Sequence, residues 1–250
     1  MRLTMTIVAL LILWSTQTWS ITIYQYSVFI NSPDLGLSSF EDTQIDLEFN
    51  ASNNFATVGL DVTFTNSLNL DDIGNVSWQV VNNSGRDLTD VSFFGFLDAD
   101  IDESINNFFN ESGALVSITG AGASDTAADS WEIDEPGFVF GDIYDNILAG
   151  ILDNFNAVPA GLKEDVSLAL GFDIGTLLSG QSLLASFDIS LNNIGGLSHT
   201  DSDSNITFYL NGSVALQHVN DIPEPGIFLL FVTGLAGAMM RISPRLYQTP

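Results

Sequence analysis

Asp98-Ala99-Asp100-Ile101-Asp102-Glu103 places four carboxylates within six residues. Alternate aspartates in a loop can turn several oxygens toward one point, and calcium takes about 6–8 hard oxygen ligands. The chemistry expected of Asp98, Asp100, Asp102 and Glu103 is therefore weak calcium binding. Asp201-Ser202-Asp203-Ser204-Asn205 repeats the spacing with fewer charges. Neither stretch is an EF-hand loop. The sixth position is Glu103 or Ile206 where that loop needs glycine, and the twelfth is Phe109 or Gly212 where it needs glutamate. A solvated acidic loop is the simpler reading of both stretches.

Other chemistry has thinner support. His199 precedes Thr200 and Asp201 in what reads as a polar loop, and His218 ends a strand. No HExxH pair and no Gly-x-Ser-x-Gly elbow occurs. Serines and aspartates are too common for a Ser-His-Asp triad to be traced. Glu132, Asp134 and Glu135 beside Trp131 are the candidates for a glycosidase carboxylate pair, and residues on a solvated strand edge explain them equally well. Phe93, Phe94, Phe96, Phe108 and Phe109 could form a sugar-stacking platform, but their alternation fits a core better. Cysteine is absent, which excludes thiol chemistry and thiolate metal sites.

The elements that must carry these residues are strands. Ile21 to Val28 alternates apolar and polar side chains, as do Ile45 to Phe49, Val58 to Phe64 and Val76 to Val80. A period of two marks strands with one face in a core. Further strands are expected at 91–97, 115–118, 131–134, 166–172, 183–191 and 206–216. Ile143, Ile147 and Ile151 recur at helical spacing, and Asp142 stands where an N-cap would. A single short helix is thus expected over 142–153, with Gly150 counting against it. Asn82-Asn83-Ser84-Gly85 between two strands reads as a hairpin turn. That stretch resembles the hairpins of immunoglobulin-like sandwiches in bacterial surface proteins. The expected fold is mainly β: an immunoglobulin-like or jelly-roll-type antiparallel β-sandwich over residues 21–220 with one short helix.

The two ends differ from this body. Met1 to Ser20 carries Arg2, an apolar core from Ile7 to Trp14, and small residues at Thr18 and Ser20. It reads as a secretory signal peptide cut after Ser20, which implies a signal peptidase and the secretory translocon as partners. Arg2, Arg241 and Arg245 belong to the ends, so between residues 21 and 225 Arg86 and Lys163 are the only basic side chains against 31 acidic ones. Such a charge repels nucleic acid and anionic membranes and favours divalent cations. The 46% of hydrophobic residues can still build a core.

At the C-terminal end Pro223-Glu224-Pro225 follows Ile222. An uncharged apolar run from Gly226 to Met240 comes next, and then Arg241 and Arg245. The run would make a helix of roughly 22 Å, short for a bilayer core that needs about 20 residues. The prolines hold an extended, exposed backbone of the kind a protease reads. The order of box (222–225), hydrophobic segment (226–240) and basic tail (241–245) resembles the PEP-CTERM sorting signal of Gram-negative bacteria, here spanning 221–250. That resemblance implies processing near the box by a membrane-embedded exosortase, and association with exopolysaccharide, biofilm or the cell surface. The basic cluster is thin, interrupted by Ile242, Ser243 and Pro244. The expectation is a non-enzymatic exported protein, held transiently in the inner membrane and then delivered outside. The alternative is a secreted carbohydrate-active or other hydrolytic enzyme using the same signal. A buried helix and a permanent anchor are the competing readings of 226–240.

Overall fold

In a computed structural model, residues 20–36, 39–42, 55–101, 108–118, 126–137 and 140–217 are described. The expected signal peptide before Ser20, the tail 221–250 and His218 lie outside the described residues. So do Asp102, Glu103 and the expected strand at 45–49. Among the described residues no helix is long and apolar enough to cross a membrane.

In chain order the elements are β1 (Ile21–Asn31), β2 (Ser39–Asp42), β3 (Leu60–Asn66), β4 (Gly74–Asn82), β5 (Leu88–Ile101), β6 (Glu111–Ser117), β7 (Thr126–Ala127), β8 (Ser130–Asp134), α1 (Ile143–Ala149), β9 (Ser167–Leu177), β10 (Ser182–Ser190), β11 (Gly196–Asp201) and β12 (Thr207–Gln217). They form two antiparallel sheets. One runs β2-β1-β5-β9-β8; the other runs β3-β4-β10-β12-β11-β6, with β7 paired to β12. Among the described residues the class is mainly β with one α-helix, as expected. In β3 the alternation is plain: Leu60 is buried, Asp61 and Thr63 are exposed, and Val62 and Phe64 are half-buried.

One apolar cluster joins the two sheets. Phe187 of β10 is its centre. It meets Tyr26 of β1 at 5.7 Å, Phe93 of β5 at 6.5 Å and Phe172 of β9 at 5.9 Å between ring centroids. Trp78 of β4 adds an edge contact with Tyr26 at 5.0 Å. Two glycines make room for this ring. A Cβ on Gly95 would come within 2.4 Å of Phe187, and one on Gly212 within 2.6 Å. Aromatic rings bury the largest apolar area per residue, so a cluster of this kind can hold the sheets together without disulfides.

The outer face of the first sheet is covered as well. Phe29, Phe94, Phe96 and Ala169 pack against Ile143, Tyr144 and Ile147 of α1. This explains why β5 is buried on both faces from Phe93 onward. The helix stops at Ala149, short of the expected 153. Gly150 adopts φ +79°, and the Gly150 and Ile151 N–H groups bond back to Ile147 O and Asn146 O at 2.9 and 3.0 Å. This is a Schellman-type termination. Ile151, expected on the apolar stripe, is exposed, and Leu152 is buried in its place.

The expected hairpin across Asn82–Gly85 is corrected. β4 pairs with β3 and β10, whereas β5 pairs with β1 and β9. The chain therefore arches from one sheet to the other. Asn82 holds the arch: fully buried, it donates from Nδ2 to Arg86 O and Leu177 O at 2.9 Å each, and accepts from the Ser84 N–H at 3.1 Å.

Candidate functional site

Asp100 lies near the end of β5, Glu111 opens β6, and Asp165 stands just before β9. One ligand atom from each lies within 4.8 Å of the others. Backbone pairing brings them together. The Glu111 N–H donates to Glu164 O at 3.2 Å, and the Glu164 N–H returns to Glu111 O at 3.4 Å. The Ile101 N–H donates to Glu111 Oε1 at 3.3 Å, which ties Glu111 to the strand that bears Asp100. Asp100 is 5% exposed and Glu111 1%.

His199 completes the cluster. It sits in β11 opposite Gly113 of β6 and shares its strand face with Leu197 and Asp201. Its ring packs on Phe208 at 4.8 Å. Nε2 stands 2.7 Å from Glu111 Oε2. That is an ion-pair distance without the alignment of a hydrogen bond. Among the described residues, Glu111 Oε2 and both His199 nitrogens have no aligned hydrogen-bond partner, and neither does the enclosed Asp165 Oδ1. Burial first, and the charge of Glu111 second, push the Asp165 carboxyl up to about 7.

A second set, Glu132, Asp134 and Asp142, also has ligand atoms within 4.8 Å of one another. Its oxygens are engaged. Asn146 Nδ2 donates to Glu132 Oε1 at 2.9 Å, and the Asp153 N–H reaches Oε2 at 3.4 Å. Asp134 accepts from the Glu135 and Asp142 N–H groups at 2.8 and 2.7 Å. Gly141 leaves room for this carboxylate, since a Cβ there would meet Asp134 Oδ2 at 2.6 Å. Asp142 occupies the N-cap position, yet its side chain makes no capping bond. Burial is the main cause that lifts Glu132 to about 7, and it also raises Asp134. This set orders the start of α1. The glycosidase candidates are thus placed: Glu132 and Asp134 are buried and bonded, and Trp131 is half-buried.

The expected calcium loop is rearranged. Asp98 and Asp100 are not in a loop; they lie within β5, opposite Gln25 and Thr22 of β1. Of these two, Asp100 joins a carboxylate group, with Glu111 and Asp165 as its companions, and Asp98 does not; Asp102 and Glu103 lie outside the described residues. Asp201 begins a turn, accepting from the Asp203 N–H at 3.0 Å and from the Ser204 N–H. His199, expected in a polar loop, is a fully buried strand residue. Of the phenylalanines, Phe93 is in the inter-sheet core, Phe94 and Phe96 lie under α1, and Phe109 is exposed. Sequence reading missed Glu111 and Asp165 because nothing in their neighbourhoods marks them. Polar residues at inward positions of β11 were the one available signal.

Comparison with protein-family models, with curated proteins and with solved structures finds no match to this chain.

Proposed function

We propose that this chain is a non-enzymatic exported protein whose acidic β body is delivered to the cell surface or extracellular matrix by its C-terminal tail. The observation that carries the reading is the order of Pro223-Glu224-Pro225, the apolar run 226–240, and Arg241 with Arg245. The apolar run would hold the chain in the inner membrane, and the flanking arginines would keep its end cytoplasmic. An exosortase-type protease would act at the extended box. The body, of immunoglobulin-like or jelly-roll type, would then be released to exopolysaccharide or biofilm. Among the described residues the strands run from Ile21 at the start of β1 to Gln217 at the end of β12, between the two proposed signals in the sequence. The glycosidase alternative rests on Glu132 and Asp134, whose oxygens already serve main-chain and Asn146 donors.

The test is Glu224→Ala in the native host, fractionated and probed with an antibody to the body. A surface substitution of this kind changes stability by under about 0.5 kcal/mol, so the body should fold. The expected result is a full-length species retained in the inner membrane. Delivery and cutting equal to the parent would end the sorting reading.

A further inference from the structure

We propose that Asp100, Glu111 and Asp165 bind one calcium ion where β5, β6 and the start of β9 meet. The donors are three carboxylates and so suit a hard cation. Oxygens around one calcium stand up to about 4.8 Å apart, twice its bond length, and the three ligand atoms fall within that span.

Geometry alone would make this another acidic cluster in an acidic protein. The unmet polar atoms set it apart. The Glu111 side chain is 1% exposed, and among the described residues its Oε2 has the close approach of His199 Nε2 at 2.7 Å but no aligned hydrogen bond; the enclosed Asp165 Oδ1 has no hydrogen-bond partner among them. Buried charged oxygens are normally paired or bound to metal. The body's two basic side chains do not compensate them. Arg86 donates to Asp34 O, and Lys163 is exposed. His199 holds Glu111 from the side, as an outer partner that orients a ligand. The Ile101 N–H fixes the other oxygen. The carboxylates are thus positioned by backbone pairing before any ion arrives.

The experiment uses the exported protein, stripped with a chelator and returned to buffer containing physiological salt, which screens diffuse ion attraction. Calcium binding is measured by equilibrium dialysis, and melting is followed by circular dichroism with and without calcium. One tightly held calcium per chain is expected. At a hundredfold excess over Kd the melting temperature should rise by roughly 5–10 °C. Asp165→Asn, which changes a half-buried side chain, should fold and weaken calcium binding at least tenfold. Asp142→Asn, in the other carboxylate set, should bind as the parent does. Glu111→Gln should match Asp165→Asn, and the latter carries the test if the former does not fold. Parent-like binding by Asp165→Asn would overturn the site. So would the absence of a calcium-dependent shift in the parent, or an equal response to magnesium.

Discussion

Glu132, Asp134 and Asp142 lie at the start of α1; Asp100, Glu111 and Asp165 lie where the two sheets meet at their ends. Each set brings three carboxylate oxygens within 4.8 Å of one another. In the first set, main-chain N–H groups and Asn146 supply the donors. In the second, the Ile101 N–H reaches Glu111 Oε1 and the Val166 backbone bonds to Asp165, while among the described residues Glu111 Oε2 and Asp165 Oδ1 lack an aligned hydrogen bond. A count of acidic residues cannot separate the two. What separates them is whether nearby donors converge. The first set is held by hydrogen bonds that orient a helix, and the second is held together against its own repulsion. Repulsion of that kind favours a cation over more protein.

The largest effect that would sharpen this contrast comes from Asp134→Ala. It leaves the part-buried Glu135 and Asp142 N–H groups without their acceptor, and because water can reach them the cost falls at the low end of the roughly 1–3 kcal/mol of a buried group. A net loss of about 1–2 kcal/mol is expected in urea unfolding. Asp165→Asn in chelator should change stability by less than about 1 kcal/mol, since it removes repulsion and the Asn oxygen can still accept the Val166 backbone bond. Equal losses in the two variants would break the comparison.

A smaller effect follows from Glu132. Its folded pKa of about 7 lies above the ordinary value of 4.5, chiefly through burial. Between those values the folded state holds the proton that the unfolded state has released. The contribution of Glu132 to stability therefore falls as pH rises from about 4.5 to about 7, and is flat outside that window. Glu132→Gln removes this dependence. Relative to the parent it should gain on the order of 1–2 kcal/mol above pH 7, after solvent screening, and almost nothing at pH 4.5. Melting temperatures of both proteins across that range test it. A constant difference between them would assign Glu132 no proton linkage.

The smallest effect belongs to Asp142. Its side chain makes no capping bond; it accepts a long bond from Asn146 Nδ2 at 3.3 Å and lies against the Asp134 carboxyl. Asp142→Ala should alter stability by less than about 0.5 kcal/mol, where a working N-cap typically costs about 1 kcal/mol on removal. A larger loss by thermal unfolding would show that Asp142 does cap α1.

Much of the fold was legible because its signals are local. Alternation in Ile21 to Val28 and Leu60 to Phe64 follows from side chains pointing to opposite faces of a strand, while Val58, expected in the same strand, ends a 3-10 turn before it. Ile143 and Ile147 marked the helix, and Gly150, counted against the helix, proved to be what ends it. Other features were not legible. β11 was hidden because two of its inward positions after Leu197 are His199 and Asp201, where a core strand would carry apolar residues. The hairpin expected at Asn82–Gly85 failed because turn chemistry marks a change of direction and does not say which sheet receives the next strand.

By itself, then, the sequence determined the strand content, the helix nucleus, the acidity of the body and the absence of thiol chemistry. These depend on neighbours within a few residues or on composition. Tertiary structure alone decided that Asp100 meets Glu111 and Asp165 while Asp98 does not join them, and that His199 lies against Glu111. Such meetings depend on strand order and register between segments far apart in the chain. The period of a single strand carries no record of its partners.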